Sequence, residues 1–131
     1  MKIKITKDEY WIRFGDPKQS SSFTGNLEGK YLFFCFKQKT LINLIKDEIT
    51  NHGFKVGKVS IYSRNDYVAC LYWFSDERKW ELLERYKNRP EIVYRFWKSN
   101  NQTRREYNSN KPYYDEPIWG DLSDIGGFSG V

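Results

Sequence analysis

From Lys55 to Tyr62 the chain alternates apolar and polar positions, with Val59 and Ile61 on one side and Lys58, Ser60 and Tyr62 on the other. A period of two is that of a strand with one face in the core. Tyr31-Leu-Phe-Phe-Cys-Phe36 has no alternation. A continuous apolar run of that length suits a central strand buried on both faces. Between Thr40 and His52 the spacing widens to Leu41, Ile45 and Ile49, with Ile42 alongside, and predicts an amphipathic helix capped by Thr40 and ended by Gly53. Ile3–Ile5 and Tyr10–Phe14 read as short strands, and Tyr67–Trp73 as the hairpin partner of the 55–62 strand across the turn Ser63-Arg-Asn-Asp66. Ser75 is placed to cap a second helix with Trp80, Leu83 and Tyr86 on its buried side. Asn88-Arg-Pro90 ends that helix, and Ile92–Lys98 forms a last strand.

These elements predict an α+β domain in the order β-β-α-β-β-α-β, a mostly antiparallel sheet with two helices on one face. The other face is expected to be partly open and to carry Lys58, Ser60 and Tyr62. One domain over 1–112 is expected, followed by an acidic, aromatic tail over 113–131.

Composition narrows the chemistry. Of the 131 residues, 18% are aromatic, so much of the core must be Phe, Tyr and Trp. With 30% charged residues and no apolar run of membrane-spanning length, a soluble protein without membrane association is expected. The first residues lack the apolar stretch of a secretory signal, which points to a cytoplasmic protein. Cys35 and Cys70 both fall in strands and are expected as buried thiols. The single histidine, His52, sits at a helix end, so neither a transition-metal site nor a Ser-His-Asp triad is indicated, and no cofactor is expected. The tail carries Asp115, Glu116, Asp121 and Asp124 and no Lys or Arg, so the net +5 divides into −4 there and +9 on the rest. A basic body suits an anionic partner: a phosphorylated protein or peptide, a nucleotide, or RNA.

The stretch from Tyr94 to Tyr107 concentrates that charge. An aromatic strand ends on Lys98 and runs into a turn with Arg104, Arg105 and Tyr107. Guanidinium and ammonium donors beside aromatic surface suit a phosphate ester, to which they make charge-assisted hydrogen bonds.

Gly29-Lys-Tyr-Leu-Phe-Phe34, Gly57-Lys-Val-Ser60, Val68–Trp73, Tyr94-Arg-Phe-Trp-Lys-Ser-Asn100 and Thr103-Arg-Arg-Glu-Tyr107 together resemble a family of small domains described as phosphothreonine lyases. That family includes the vertebrate basophilic-leukaemia-expressed protein, and its fold resembles the cap-binding translation factors. The resemblance covers roughly residues 10–108. More distantly, Trp97-Lys98-Ser99 is similar to the Trp-Lys-Val-Thr-Asp segment of the bacterial effector phosphothreonine lyases, and Lys58-Val-Ser60 to their Lys-x-His motif. The resemblance implies a metal-free β-elimination of phosphate from phosphothreonine or phosphoserine. In it Lys98, its pKa lowered by burial against Trp97 or by neighbouring cations, takes the α-proton, while Lys58, Arg104 and Arg105 hold the phosphate. Ser60 stands where the family has its acid histidine, and a serine hydroxyl is a poor acid near neutrality. Tyr107 or Tyr62 would then substitute, or the chain would bind without turnover.

Two other readings fit the residues. Tyr62, Trp73, Tyr94 and Phe96 on an open basic sheet could stack bases, or two of Trp11, Trp73 and Trp97 could clamp a purine. A protein-interaction module using the aromatic, acidic tail is the third.

Overall fold

The computed structural model describes residues 2–18 and 26–101. Six strands form one antiparallel sheet: β1 (Lys4–Lys7), β2 (Trp11–Gly15), β3 (Gly29–Cys35), β4 (Val56–Ser60), β5 (Tyr67–Trp73) and β6 (Val93–Ser99), in the spatial order β1-β2-β4-β5-β3-β6. Helix α1 spans Gln38–Asn51, and a 3₁₀ turn at Asp76–Arg78 leads into α2, Lys79–Tyr86. Among the described residues three strands precede α1, giving β-β-β-α-β-β-α-β; the expected order counted one strand fewer there, although Ile3–Ile5, Tyr10–Phe14 and Tyr31–Phe36 each read as a strand. The α+β class and the mostly antiparallel sheet are as anticipated. Among the described residues no helix is long and apolar enough to cross a membrane.

Both helices lie on one face. Leu41, Leu44, Ile45 and Ile49 of α1 and Leu82 and Tyr86 of α2 pack with Phe14, Tyr31, Phe33, Val59, Ala69 and Leu71 of the sheet. Gly57 lets α1 approach, since a Cβ there would stand 2.7 Å from the Ile45 Cγ2. Helix α1 begins before Thr40, with Lys37 at the cap and no side-chain capping bond. It ends at Gly53, whose φ of 82° lies in the left-handed region that favours glycine. Ser75 does cap the second helical segment, accepting from the Glu77 N–H at 3.3 Å.

The buried side of α2 differs in part from the expected one. Tyr86 faces the core as expected, but Leu82 joins it, while Trp80 is 70% and Leu83 38% exposed. A buried carboxylate on α1 fixes the rotation of the helix. Glu48 is 0% exposed; it accepts from Arg85 Nε at 2.6 Å, from the second Arg85 nitrogen at 2.7 Å, and from the Tyr86 hydroxyl. Arg85 and Arg78 also bind Glu81, and the Arg78 guanidinium stacks over Phe54 and Trp73. A buried carboxylate needs such donors, so α2 rotates to bring Arg85 and Tyr86 inward.

The opposite face of the sheet is closed as well. Trp11, Leu27, Leu32, Val56, Val68, Cys70 and Tyr72 form a second buried cluster, with Tyr10, Phe34 and Phe74 half-buried at its rim. The expected open face is thus a buried one, and every residue of β4 is buried. Cys35 and Cys70 are buried free thiols.

A candidate anion-binding face

Strand register decides which of the candidate residues meet. Residues directly opposite in an antiparallel pair share a face, as do residues two apart on one strand. Lys30 on β3 lies opposite both Lys98 on β6 and Tyr72 on β5. Cys70, two residues from Tyr72, lies opposite Lys58 on β4, which in turn lies opposite Arg13 on β2. Lys30, Lys58 and Lys98 therefore occupy the same face, the one turned away from the helices. They are 2%, 0% and 4% exposed, respectively.

Aromatic rings separate the cations. The Lys58 ammonium stands 3.6 Å from the centroid of the Trp11 ring and 5.9 Å from that of Tyr72, and the Lys30 ammonium is 5.7 Å from the same Tyr72 ring. The negative ring faces attract the two ammonium groups. Lys58 and Lys98 are three strand spacings apart, roughly 14 Å at the backbone, and Lys30 and Tyr72 fill the interval. The cationic groups thus form a stripe across the sheet rather than one point. At its edge Arg13 is held by Asp8, with Nε donating at 2.8 Å. Partial burial raises the Asp8 pKa, but the Tyr10 and Trp11 N–H groups together with Arg13 outweigh it and hold the carboxyl below its ordinary value.

The other anticipated site residues divide. Ser60 is on the lysine face, opposite Trp11, but its Oγ accepts the Val68 N–H at 3.0 Å. That bond prolongs the β4–β5 pairing beyond Val59–Ala69, which gives Ser60 a structural task whatever its chemistry. Tyr62 lies past the end of β4 and is exposed, unlike the buried Lys58. Trp97 is adjacent to Lys98 in an extended strand and points to the helix side, where it packs edge-on against Tyr31 at 4.9 Å. It cannot wall in the Lys98 ammonium. Arg104, Arg105 and Tyr107, like the tail over 113–131, lie outside the described residues.

The tryptophans do not converge as a clamp. Trp11 is on the lysine face, whereas Trp73 and Trp97 pack against the helix-side core. Tyr94 is on that side too, stacked on Phe33 at 5.0 Å. A register shift in β6 between the Tyr31–Trp97 and Phe33–Tyr94 pairs explains this: three residues of β6 span two of β3. The inserted residue reverses the alternation, so Tyr94 and Lys98, four apart, point to opposite faces. The stacking platform expected from Trp73 and Tyr94 is accordingly absent from the lysine face, where Tyr72 supplies the aromatic surface. The Tyr31 hydroxyl has its pKa pushed up to about 12 by burial, opposed by the Arg78 N–H that it accepts and helped by the nearby charge of Asp76. It donates to the Ser75 carbonyl and accepts the Arg78 N–H, both at 2.9 Å, as a structural tie.

Lys30 and Arg13 are members of the face that the strand pattern did not single out. Lys30 had a signal: it directly precedes the continuous apolar run Tyr31–Phe36, and a lysine near the start of a central strand has nowhere to go but a buried face. Among the described residues, one group of side chains has metal-ligating composition, Asp47, Glu48 and His52 at the end of α1. Glu48 is already held by Arg85 and Tyr86.

Neither family models, nor curated protein sequences, nor solved structures give a match to this chain.

Proposed function

We propose that the chain recognises a phosphate ester, with Lys58, Lys30 and Lys98 as the cationic donors, and that any β-elimination is slow or absent. The observation that carries the reading is the gathering of Lys58 and Lys98, from strands far apart in sequence, on one buried face with Lys30 between them. In a water-poor setting such donors bind an oxyanion far more strongly than they would at a surface. The resemblance to the phosphothreonine lyases points to the same two lysines and to a phosphorylated Thr or Ser side chain in a protein or peptide. Elimination would require Lys98 to take the α-proton as the Cβ–O electron pair leaves with the phosphate and a Cα=Cβ double bond forms. Ser60 is ill suited to protonate the leaving group, because its hydroxyl is a weak acid and already accepts a backbone N–H. A cytoplasmic setting and a cap-binding-factor-like fold belong to this reading. Base recognition is less favoured, since Trp73, Tyr94 and Trp97 pack on the helix side.

Calorimetric titration with a phosphothreonine peptide, its unphosphorylated form and a short RNA of equal charge tests the proposal. Only the phosphopeptide should bind well. Lys58→Met and Lys98→Met should each weaken it by a factor of roughly ten to a hundred, the range for a hydrogen bond to a charged group. Mass spectrometry of the incubated peptide should reveal little or no dehydrobutyrine. Equal binding of both peptides, or a preference for RNA, overturns the phosphate-ester reading, and rapid elimination overturns the slow-turnover clause.

A further inference from the structure

We infer that the indole N–H of Trp11 is itself a ligand-contacting donor, completing with Lys58 the grip on the anion; this rests on the phosphate-ester reading above. Trp11 is 1% exposed and opens β2, fixed by its pairing opposite Ser60 on β4. Its Nε1–H is buried, and among the described residues nothing accepts a hydrogen bond from it. Buried donors are nearly always satisfied, and one that is not calls for a partner beyond those residues. Trp73 shows the ordinary solution in the same molecule, its Nε1 donating to the Glu77 carboxylate at 3.1 Å.

The neighbours of Trp11 narrow the chemistry of that partner. The Lys58 ammonium, 3.6 Å from the ring centroid, satisfies the π face but cannot accept from the N–H, because an ammonium only donates. The hydroxyl of Ser60 is engaged by the Val68 N–H. An acceptor reaching the indole edge thus meets a cation beside it, which favours an anionic oxygen over a neutral carbonyl. A tetrahedral oxyanion suits the pair, because its oxygens diverge. One can lie in the indole plane at Nε1 while another faces the ammonium above the ring. Trp11 in this role replaces the purine clamp with a hydrogen-bond donor on a rigid strand.

The indole region of a ¹⁵N–¹H spectrum supplies the test, since five tryptophans give five resolvable N–H signals. Inorganic phosphate, then phosphothreonine peptide, is titrated into the full chain. The Trp11 signal, assigned by Trp11→Phe, should move downfield on saturation while that of Trp73 stays in place. In parallel, 3-benzothienylalanine at position 11 exchanges the N–H for sulfur and keeps the bicyclic ring, so packing is nearly unchanged. It should weaken phosphate binding about tenfold, the loss of one hydrogen bond to a charged acceptor. If phosphate binds the wild type but the Trp11 signal is unmoved and the sulfur isostere binds as tightly, the Trp11 role is overturned, its N–H served by water, and the phosphate reading stands. If neither phosphate nor the phosphopeptide binds the wild type, both fall together.

Discussion

Removing the carboxylate of Glu48 should be among the most damaging single changes on the helix side of the sheet. Glu48 is 0% exposed and binds Arg85 through two nitrogens at 2.6 and 2.7 Å, besides accepting from the Tyr86 hydroxyl. Breaking a buried pair by removing one partner costs about 3–5 kcal/mol, because the other charge is left uncompensated. Arg85 keeps Glu81 at 2.8 Å and is 22% exposed, which softens the loss. Glu48→Gln also preserves volume and one acceptor, so about 2–3 kcal/mol is expected for it by the same reasoning. Glu48→Ala adds a cavity and deprives Tyr86 of its acceptor, bringing the cost to about 4 kcal/mol. At about 4–8 °C per kcal/mol for a domain near 100 residues, the Gln variant should melt at least about 8 °C lower. Urea unfolding with an unchanged m-value is the assay, and a Glu48→Met/Arg85→Met double variant should recover most of the loss. The phosphate affinity of the folded fraction should be unchanged, because the network is on the opposite face from the lysines. An unfolding midpoint for Glu48→Gln within error of the wild type would refute the reasoning.

Glu81 sets a pH dependence: hydrogen bonds from Arg78, with Arg85 adding to them, hold its carboxyl down to about 2 from an ordinary 4.5. A depressed folded pKa contributes stability that is complete above the unfolded value and is lost as pH falls from about 4.5 towards 2, so Glu81→Gln should flatten the urea midpoint over that window. Gly29→Ala should destabilise the sheet by about 1–3 kcal/mol, the usual cost of overpacking. Its Cβ would stand 2.5 Å from the Trp97 ring and 2.7 Å from the Lys98 carbonyl, so displacement of Lys98 should also lower phosphopeptide affinity in the titration. Trp80→Ala should change stability by no more than about 0.5 kcal/mol in the same unfolding assay, since the ring is largely exposed.

Local pattern in the chain determined the existence and type of most elements. The unbroken apolar run became a central strand, the Leu41/Ile45/Ile49 spacing became α1, and the antiparallel sheet with both helices on one side followed from these. Lys58 and Lys98 were expected to act at one site with Arg104 and Arg105; strand register puts the two lysines on one face but three strand spacings apart, and the arginines lie outside the described residues. Period-two and period-3.6 signals are local, and they survive because burying an apolar face is the largest favourable term available to each element.

Tertiary structure decided what local pattern left degenerate. A one-residue shift in β6 sent Tyr94 to the helix side while Lys98 stayed on the other, and no feature of residues 93–99 announces it. On α2 the buried Glu48 holds Tyr86 inward, which brings Leu82 rather than Trp80 and Leu83 to the core. The face expected to be open closed over Trp11, Lys30 and Lys58, because Leu27, Leu32, Val56, Val68 and Cys70 bring apolar surface to it from β3, β4, β5 and the segment before β3. Lys30, Tyr72 and Trp11 joined the candidate site for the same reason. Side-chain period assigns a residue to one of two sides of its own strand, but only pairing with strands distant in sequence settles which sides coincide.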